Sequence, residues 1–257
     1  MFKKRRKKKR KKALEKKEED KENEKVLLSE QGKERNEVKE IPKSESKDIR
    51  REDFSIFNLA YKLVPKLESP DEDIRREALS IVEHGLKSQD PEIRNGALSM
   101  LEVALESPYR NVSMGSMYLL GEALKSQDSD VRVGAITILG KALKSQNFGV
   151  RTEALLLLRD AIKSPHENVR EGVLPLLKDT FESPSYPVWA FLSCVGAALE
   201  SINPEVRMTA MSLVKENLKS EDPNKRRAAT TLLDLTIERN PFTDVRNEAI
   251  NIKMHMQ

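Results

Sequence analysis

The residues of this chain that could do chemistry begin with ten consecutive basic side chains close to the first residue. Such a block attracts nucleic-acid phosphates, acidic proteins and anionic lipid headgroups by counterion release, without sequence specificity. These candidate polyanion-binding residues are Lys3, Lys4, Arg5, Arg6, Lys7, Lys8, Lys9, Arg10, Lys11 and Lys12. The alternative interpretation is a solvated tail that keeps the protein soluble.

A second set of charged residues recurs at regular spacing farther along the chain. Its members are Arg75, Arg94, Arg132, Arg151, Arg170, Arg207 and Arg226. One guanidinium in each repeat could follow a nucleic-acid backbone. However, six of the seven arginines follow a β-branched apolar residue, and several lie within reach of a capping aspartate such as Asp90 or Asp128, which favours a structural role. We therefore interpret the series as a structural ladder between neighbouring units.

Catalytic and metal-binding patterns were sought among the remaining reactive residues. His84, His166 and His255 lie far apart and have no partners at metal-ligand spacing. Cys194 lies in an apolar stretch, which predicts a buried thiol. The sequence contains neither a phosphate-binding glycine loop nor a Gly-x-Ser-x-Gly turn. We expect no catalytic residues, metal or cofactor, and a protein that is not an enzyme.

The elements that must position these side chains form an internal repeat of 19 residues. Apolar residues keep this spacing over seven positions and, after one deleted residue, over three more. They are Leu67, Leu86, Leu105, Leu124, Leu143, Ile162, Phe181, Leu199, Leu218 and Ile237. A repeat of this length predicts one helix and one turn in each unit.

The unit that follows Leu86 shows the helix signals most clearly. Asp90 can cap a helix, Pro91 suits its first position, and apolar residues then follow at three- and four-residue spacing. Two units make a 38-residue antiparallel hairpin. From Phe54 to about Met254 we expect eleven helices, which stack closely through small residues and are kinked at Pro175. The small residues include Gly96, Gly115, Gly134 and Gly172.

The charge distribution predicts two domains. Residues 1–17 have a net charge of +11, residues 18–53 of −4 and the remainder of −3, so the excess of basic charge belongs to the N-terminal part alone. Residues 1–53 contain too few apolar side chains to offset the entropy of ordering and are predicted to be a disordered tail. Residues 54–257 form the repeat domain. Since the sequence has neither an apolar secretion signal nor an apolar run long enough for a membrane helix, we expect a cytoplasmic protein.

Residues 90–101, Asp-Pro-Glu-Ile-Arg-Asn-Gly-Ala-Leu-Ser-Met-Leu, resemble the helix signature of HEAT repeats, and residues 128–139 and 203–213 are close variants. This resemblance covers about four-fifths of the chain. It implies an all-α, right-handed α-solenoid of HEAT or armadillo type. It also implies a hydrogen-bonded ladder of turn aspartates and helix arginines, which Asp90 with Arg94 and Asp128 with Arg132 match. The units depart from the family in that successive helices carry similar patterns.

Two units break the repeat. The fourth has Ser113 in place of arginine, and the eighth has Trp189. Exposed aromatic and methionine side chains are typical of protein-binding hot spots. The candidate partner-binding residues are Tyr109, Met114, Tyr118, Tyr186 and Trp189. Because both units have even numbers, we expect them in one layer of the solenoid. The alternative is that the eighth-unit aromatic residues fill a gap in the core.

These observations favour a non-catalytic scaffold or adaptor that binds a protein partner, with a basic tail that attracts a polyanion. A nucleic-acid-binding or nucleic-acid-processing protein, similar to HEAT-like DNA glycosylases, remains the alternative. That alternative requires a basic concave face and an acidic catalytic residue. A lyase acting on a bound pigment, as among HEAT-like chromophore lyases, is a third possibility for which the sequence shows no motif.

Overall fold

The computed structural model describes residues 56–182 and 186–256, with side chains from Lys62 onward. All regular elements in this part of the chain are helical. The helices are α1 Ile56–Leu67, α2 Glu72–Leu86, α3 Pro91–Leu105, α4 Arg110–Ala123, α5 Ser129–Ala142, α6 Phe148–Ile162, α7 Glu167–Gly172, α8 Leu174–Glu182, α9 Val188–Leu199, α10 Pro204–Leu218, α11 Pro223–Arg239 and α12 Thr243–Met254. Because α7 and α8 are two parts of one repeat, these helices make eleven units.

Six of the described helices begin where an aspartate or asparagine side chain replaces the missing hydrogen-bond partner of one or two of the first amides. At the start of α3, Asp90 Oδ1 accepts from the amide of Glu92 at 2.9 Å, and Ser88 Oγ accepts from the amide of Asp90 at 3.1 Å. The same serine bond recurs before eight helices. These serines are Ser69, Ser88, Ser107, Ser126, Ser145, Ser164, Ser201 and Ser220. The repeated turn serine was not recognised from the sequence, although its 19-residue spacing is visible there.

The helices pack in two layers, since each contacts its neighbours in sequence and also the helix two units away. One layer contains α1, α3, α5, α7 with α8, α10 and α12, and the other contains α2, α4, α6, α9 and α11. Leucine and isoleucine side chains fill the core, among them the fully buried Leu67, Leu105 and Ile162 of the 19-residue series. This alternation arises because short turns send successive helices in opposite directions.

Glycines let helices of the same layer approach closely. Gly134 of α5 faces Leu98 of α3, and Gly172 of α7 faces Ile136 of α5. In both pairs the residues are 36 positions apart, and a β-carbon added to the glycine would lie within 2.7 Å of a side-chain carbon of its partner. The large residue of one helix therefore occupies the space that the glycine leaves on the next helix of its layer.

The seventh unit is interrupted at Val173, between α7 and α8. Pro175 has no amide hydrogen and cannot continue the helical ladder, which explains the break that the sequence predicted as a kink. The amide of Leu177 restores helical bonding by donating to Val173 O at 2.9 Å. The break lies close to the position where the 19-residue spacing loses one residue.

The prediction of an all-helical repeat of eleven units is confirmed for the described residues. The predicted tail, residues 1–53 with its basic block, lies outside them, so its disorder stays a prediction. The right-handed sense of the solenoid also stays a prediction from the resemblance.

Substituting Gly134 by alanine should lower the free energy of unfolding by about 1 kcal/mol. The new β-carbon would lie 2.5 Å from Leu98 Cδ1, and this overpacking outweighs the gain in helix propensity. Gly196→Ala is the matched control, because its β-carbon would meet Leu232 Cδ2 at an ordinary 3.4 Å. The control should leave stability unchanged or raise it by up to about 1 kcal/mol. Urea unfolding followed by circular dichroism measures both, and equal effects would contradict the packing role.

Candidate functional site

The arginine series lies at the start of the helices and binds the preceding turns. In seven units Nη1 donates to the carbonyl of the turn serine six residues earlier, at 2.6–2.9 Å. Six of these arginines also donate to the next carbonyl, whereas Arg151 makes the serine bond alone. Arg75, Arg132, Arg170 and Arg207 are buried. These guanidinium groups therefore tie each helix to its own turn.

Four arginines also reach a side-chain oxygen on the next helix of their layer. The pairs are Arg75 Nε with Asn111 Oδ1 at 3.2 Å, Arg94 Nη2 with Asp128 Oδ2 at 3.1 Å, Arg132 Nε with Asn168 Oδ1 at 3.0 Å, and Arg207 Nη2 with Asp244 Oδ2 at 2.8 Å. The ladder thus joins units two apart. The resemblance implied a ladder between neighbouring units with Asp90 and Arg94, and Asp128 and Arg132, as its members, whereas Arg94 pairs with Asp128 two units away.

Asp128 shows how one carboxylate can cap a helix and take part in this ladder. Its Oδ1 accepts from the amides of Asp130 and Val131, at 2.9 and 3.1 Å, while Oδ2 faces Arg94 of the helix two units earlier. The amide of Val131 and the charge of Arg94 lower the pKa of Asp128. The hydrogen bond from Arg207 likewise lowers the pKa of Asp244. Both aspartates are therefore held in the charged form.

Two candidate partner-binding residues belong to the packed structure. Tyr109 is half-buried at the N-cap of α4, and the Arg75 guanidinium lies 4.2 Å from the centre of its ring. Tyr186 is buried, donates its hydroxyl to Asn217 Oδ1, and packs against Phe181 and Phe191 with ring centres 4.9 and 5.7 Å away. Burial raises the pKa of Tyr186 to about 12. The expected exposure of Tyr186 is wrong, because its ring is buried in the core against Phe181 and Phe191.

The other three candidates lie in the layer of even-numbered units. Tyr118 on α4 and Trp189 on α9 are 63% and 43% exposed, whereas Met114 is half-buried and reaches towards Gly149 of α6. The expectation that α4 and α9 share a layer is confirmed. However, α6 packs between these helices, so Tyr118 and Trp189 occupy separate positions on the surface.

A cavity of about 520 Å³ opens where the repeat is irregular. Its walls come from the end of α5, the start of α6, α8 and the segment before α9. Phe148, Arg151, Leu155, Leu176 and Pro187 are among its lining residues. It is a mainly apolar site into which a guanidinium can contribute a positive charge.

Phe148 was missed by the sequence analysis, although it is 72% exposed at the rim of this cavity. It occupies the first position of α6, where most other helices have proline or a polar residue, such as Pro91, Ser129 and Pro204. An aromatic residue at a position that is otherwise solvated was the signal that could have found it.

A second depression, of about 610 Å³, lies between α8 and α10. It is lined by Leu174, Pro175, Pro204 and Met208, and Met208 is 57% exposed. Both openings border the interrupted seventh unit. The helix break therefore lies beside two surface openings.

The histidines and the cysteine have local structural contacts. His84 and His255 each place Nδ1 2.7 Å from the carbonyl oxygen four residues earlier, and His166 stands at the N-cap of α7. Cys194 is buried, its thiol lies 3.3 Å from Leu155 O, and burial raises its pKa to about 12. Within residues 56–182 and 186–256 no acidic, histidine and cysteine side chains group into a metal-binding cluster. Nor is any helix in those ranges long and apolar enough to cross a membrane.

Comparison with known proteins finds similarity among solved structures alone, since no family model and no curated protein matches the chain. A designed armadillo repeat protein is 14% identical, with a TM-score of 0.39 over 76% of this chain and 98% of that chain. The TOG domain of human Cep104 is 14% identical, with a TM-score of 0.35 over 79% and 95%. An archaeal HEAT-like repeats protein from Thermococcus onnurineus NA1 is 16% identical, with a TM-score of 0.32 over 79% and 94%. The contacts of its own helices make the described part of this chain a two-layer α-solenoid.

Proposed function

We propose that the chain is a non-catalytic scaffold that binds a protein partner around the interrupted seventh unit. The observation that carries this proposal is the cavity of about 520 Å³ with the largely exposed Phe148 at its rim. Aromatic side chains beside a concave apolar surface bury a large area on binding and lose little conformational entropy. The basic block, residues 3–12, would add nonspecific attraction to a polyanion.

Several further features support a partner site at this place. Trp189 on α9 is 43% exposed, and Met208 borders the neighbouring depression. Trp189 is the second residue of α9, where most other helices have polar residues such as Glu92, Asp130 and Glu205. Apolar side chains that gather at a break in a repeat are a feature of interaction surfaces more than of a regular solvated face.

The nucleic-acid hypothesis loses support, because four of the seven arginines are bonded to side chains of another unit. Guanidinium groups that donate to turn carbonyls and to Asn111, Asp128, Asn168 and Asp244 are not free to follow a phosphate backbone. Residues 54–257 also carry a net charge of −3, which opposes polyanion binding by the repeat domain. Any attraction to nucleic acid is therefore assigned to the tail.

Partner capture with the full chain tests the proposed site. The double substitution Phe148→Ser with Trp189→Ser should reduce recovery of the specific partner at least about tenfold, since hot-spot truncations commonly cost that much affinity. Val133→Ser is the control, because Val133 is 53% exposed on α5 in the other layer. Capture at about 0.5 M salt removes polyanions that the tail attracts. Equal recovery by all variants, each folded by circular dichroism, would remove the site from consideration.

A further inference from the structure

We propose that the cavity beside Arg151 binds an acidic peptide segment whose carboxylate pairs with this guanidinium while a neighbouring apolar side chain fills the cavity. The inference rests on the proposed function and adds to it the chemistry of the partner. Its basis is the arginine ladder, in which four of the seven guanidinium groups bind a side-chain oxygen two units away.

The ladder places an oxygen acceptor in one of two positions on the helix two units farther along. Asp128 supplies it from the N-cap of α5, whereas Asn111, Asn168 and Asp244 supply it from the second helical residue. In all four cases the acceptor is a carboxylate or a side-chain amide. A guanidinium at this place in the fold is therefore suited to such an oxygen.

Arg151 lacks this acceptor among the described residues. The helix two units after α6 is α9, whose N-cap is Pro187 and whose second residue is Trp189. Neither side chain contains an oxygen. Arg151 retains the bond from Nη1 to Ser145 O at 2.6 Å and has the Phe148 ring 5.9 Å from its guanidinium carbon.

The cavity lies where the missing acceptor would stand, because Arg151 and Pro187 both line it. Leu143, Leu155 and Leu176 provide apolar walls. Lys144 and Asp179 also line the cavity and pair with each other at 3.8 Å, so the Arg151 guanidinium supplies its net positive charge. A ligand that offers a carboxylate next to an aliphatic side chain matches both the charge and the lining. A partner's glutamate beside leucine would complete the ladder in place of the acceptor that α9 lacks.

The probes are acetyl-Leu-Glu-Leu-amide and the matched acetyl-Leu-Gln-Leu-amide, titrated into the isotope-labelled full chain and followed by NMR. The glutamate peptide should shift the Arg151 Nε–Hε resonance and bind about tenfold more tightly than the glutamine peptide. Arg151→Gln should abolish this preference. Equal binding of the two peptides, or binding of neither up to about 10 mM, would overturn the inference.

Pro187→Asp is the sharper variant, because it restores an acceptor on the protein itself. An aspartate at this N-cap could cap α9 with one oxygen and pair with Arg151 through the other, as Asp128 does with Arg94. The variant should stay folded and lose at least about tenfold in affinity for the glutamate peptide. Pro91→Ser, at an exposed helix start in another unit, is the control and should bind as the unsubstituted chain does.

The remaining outcomes separate this inference from the proposed function. Partner capture that survives Pro187→Asp but is lost on Phe148→Ser with Trp189→Ser would overturn the acidic-segment inference and leave the scaffold site intact. Glutamate-selective binding with capture insensitive to the Phe148 and Trp189 changes would support the inference and overturn the proposed aromatic surface. Tighter binding of inorganic phosphate than of the glutamate peptide would overturn the peptide assignment in favour of a phosphate group.

Discussion

Replacing Phe191 by alanine should lower the free energy of unfolding by about 3–5 kcal/mol. Phe191 is 1% exposed, and its ring packs 5.7 Å from the centres of both Phe181 and Tyr186. Truncation would remove buried apolar area and leave a cavity that the aromatic neighbours cannot easily fill. Unfolding in urea, followed by circular dichroism, measures the loss as a lower midpoint.

Trp189→Ala is the control on the same helix. Trp189 is 43% exposed, so its truncation should cost no more than about 1 kcal/mol. The sequence alone left open whether the aromatic residues of the eighth unit fill a gap in the core. Comparing the two variants separates the core residue Phe191 from the surface residue Trp189. A loss for Trp189→Ala as large as that for Phe191→Ala would show that the tryptophan also stabilises the fold and would weaken its assignment to a partner site.

The second large effect is expected for Arg132→Ala, which should cost about 1–3 kcal/mol of stability. Arg132 is buried and donates to Ser126 O, Gln127 O and Asn168 Oδ1 at 2.7, 2.9 and 3.0 Å. Its removal would leave these acceptors without their donor inside the packed turn and break one link between α5 and α7. Thermal and urea unfolding of the full chain measure the change.

Arg226→Ala is the matched control within the series. Arg226 makes the same two bonds to turn carbonyls, with Ser220 O and Glu221 O, but it is exposed. Water can replace its bonds, so its removal should cost less than about 1 kcal/mol. Equal losses for the two variants would mean that burial and the inter-unit bond contribute little, and that the ladder has no measurable stabilising role.

Much of the fold could be predicted because its information is local and repeated. The 19-residue spacing identifies one helix in each unit, and Asp90 with Pro91 marks a helix start by the chemistry of a single turn. Pro175 marked the interrupted helix, since a missing amide hydrogen disturbs any helix interior. The helices α4 and α9 both belong to even-numbered units. Because successive antiparallel helices alternate between two layers, this was enough to predict that the two helices share a layer.

The candidate site was harder to predict, because exposure depends on residues distant in sequence. Tyr186 and Trp189 are three residues apart, yet Tyr186 is buried against Phe181 and Phe191 while Trp189 faces solvent. Phe148 had no distinguishing neighbour in the sequence, and its exposure follows from its position at the start of α6. The ladder partners, such as Arg94 and Asp128, were not predicted, because stacking decides which residues of different units come into contact.

The sequence by itself determined the all-helical repeat, the unit length, the helix starts and the place where the regularity fails. Each of these depends on backbone and capping energetics within about one repeat. Only the tertiary structure decided that Arg94 pairs with Asp128 two units away, and that Arg151 meets Pro187 across a cavity without such an acceptor. The physical reason is that stacking brings residues more than 30 positions apart into contact, and the register of that contact is set by packing across the whole layer.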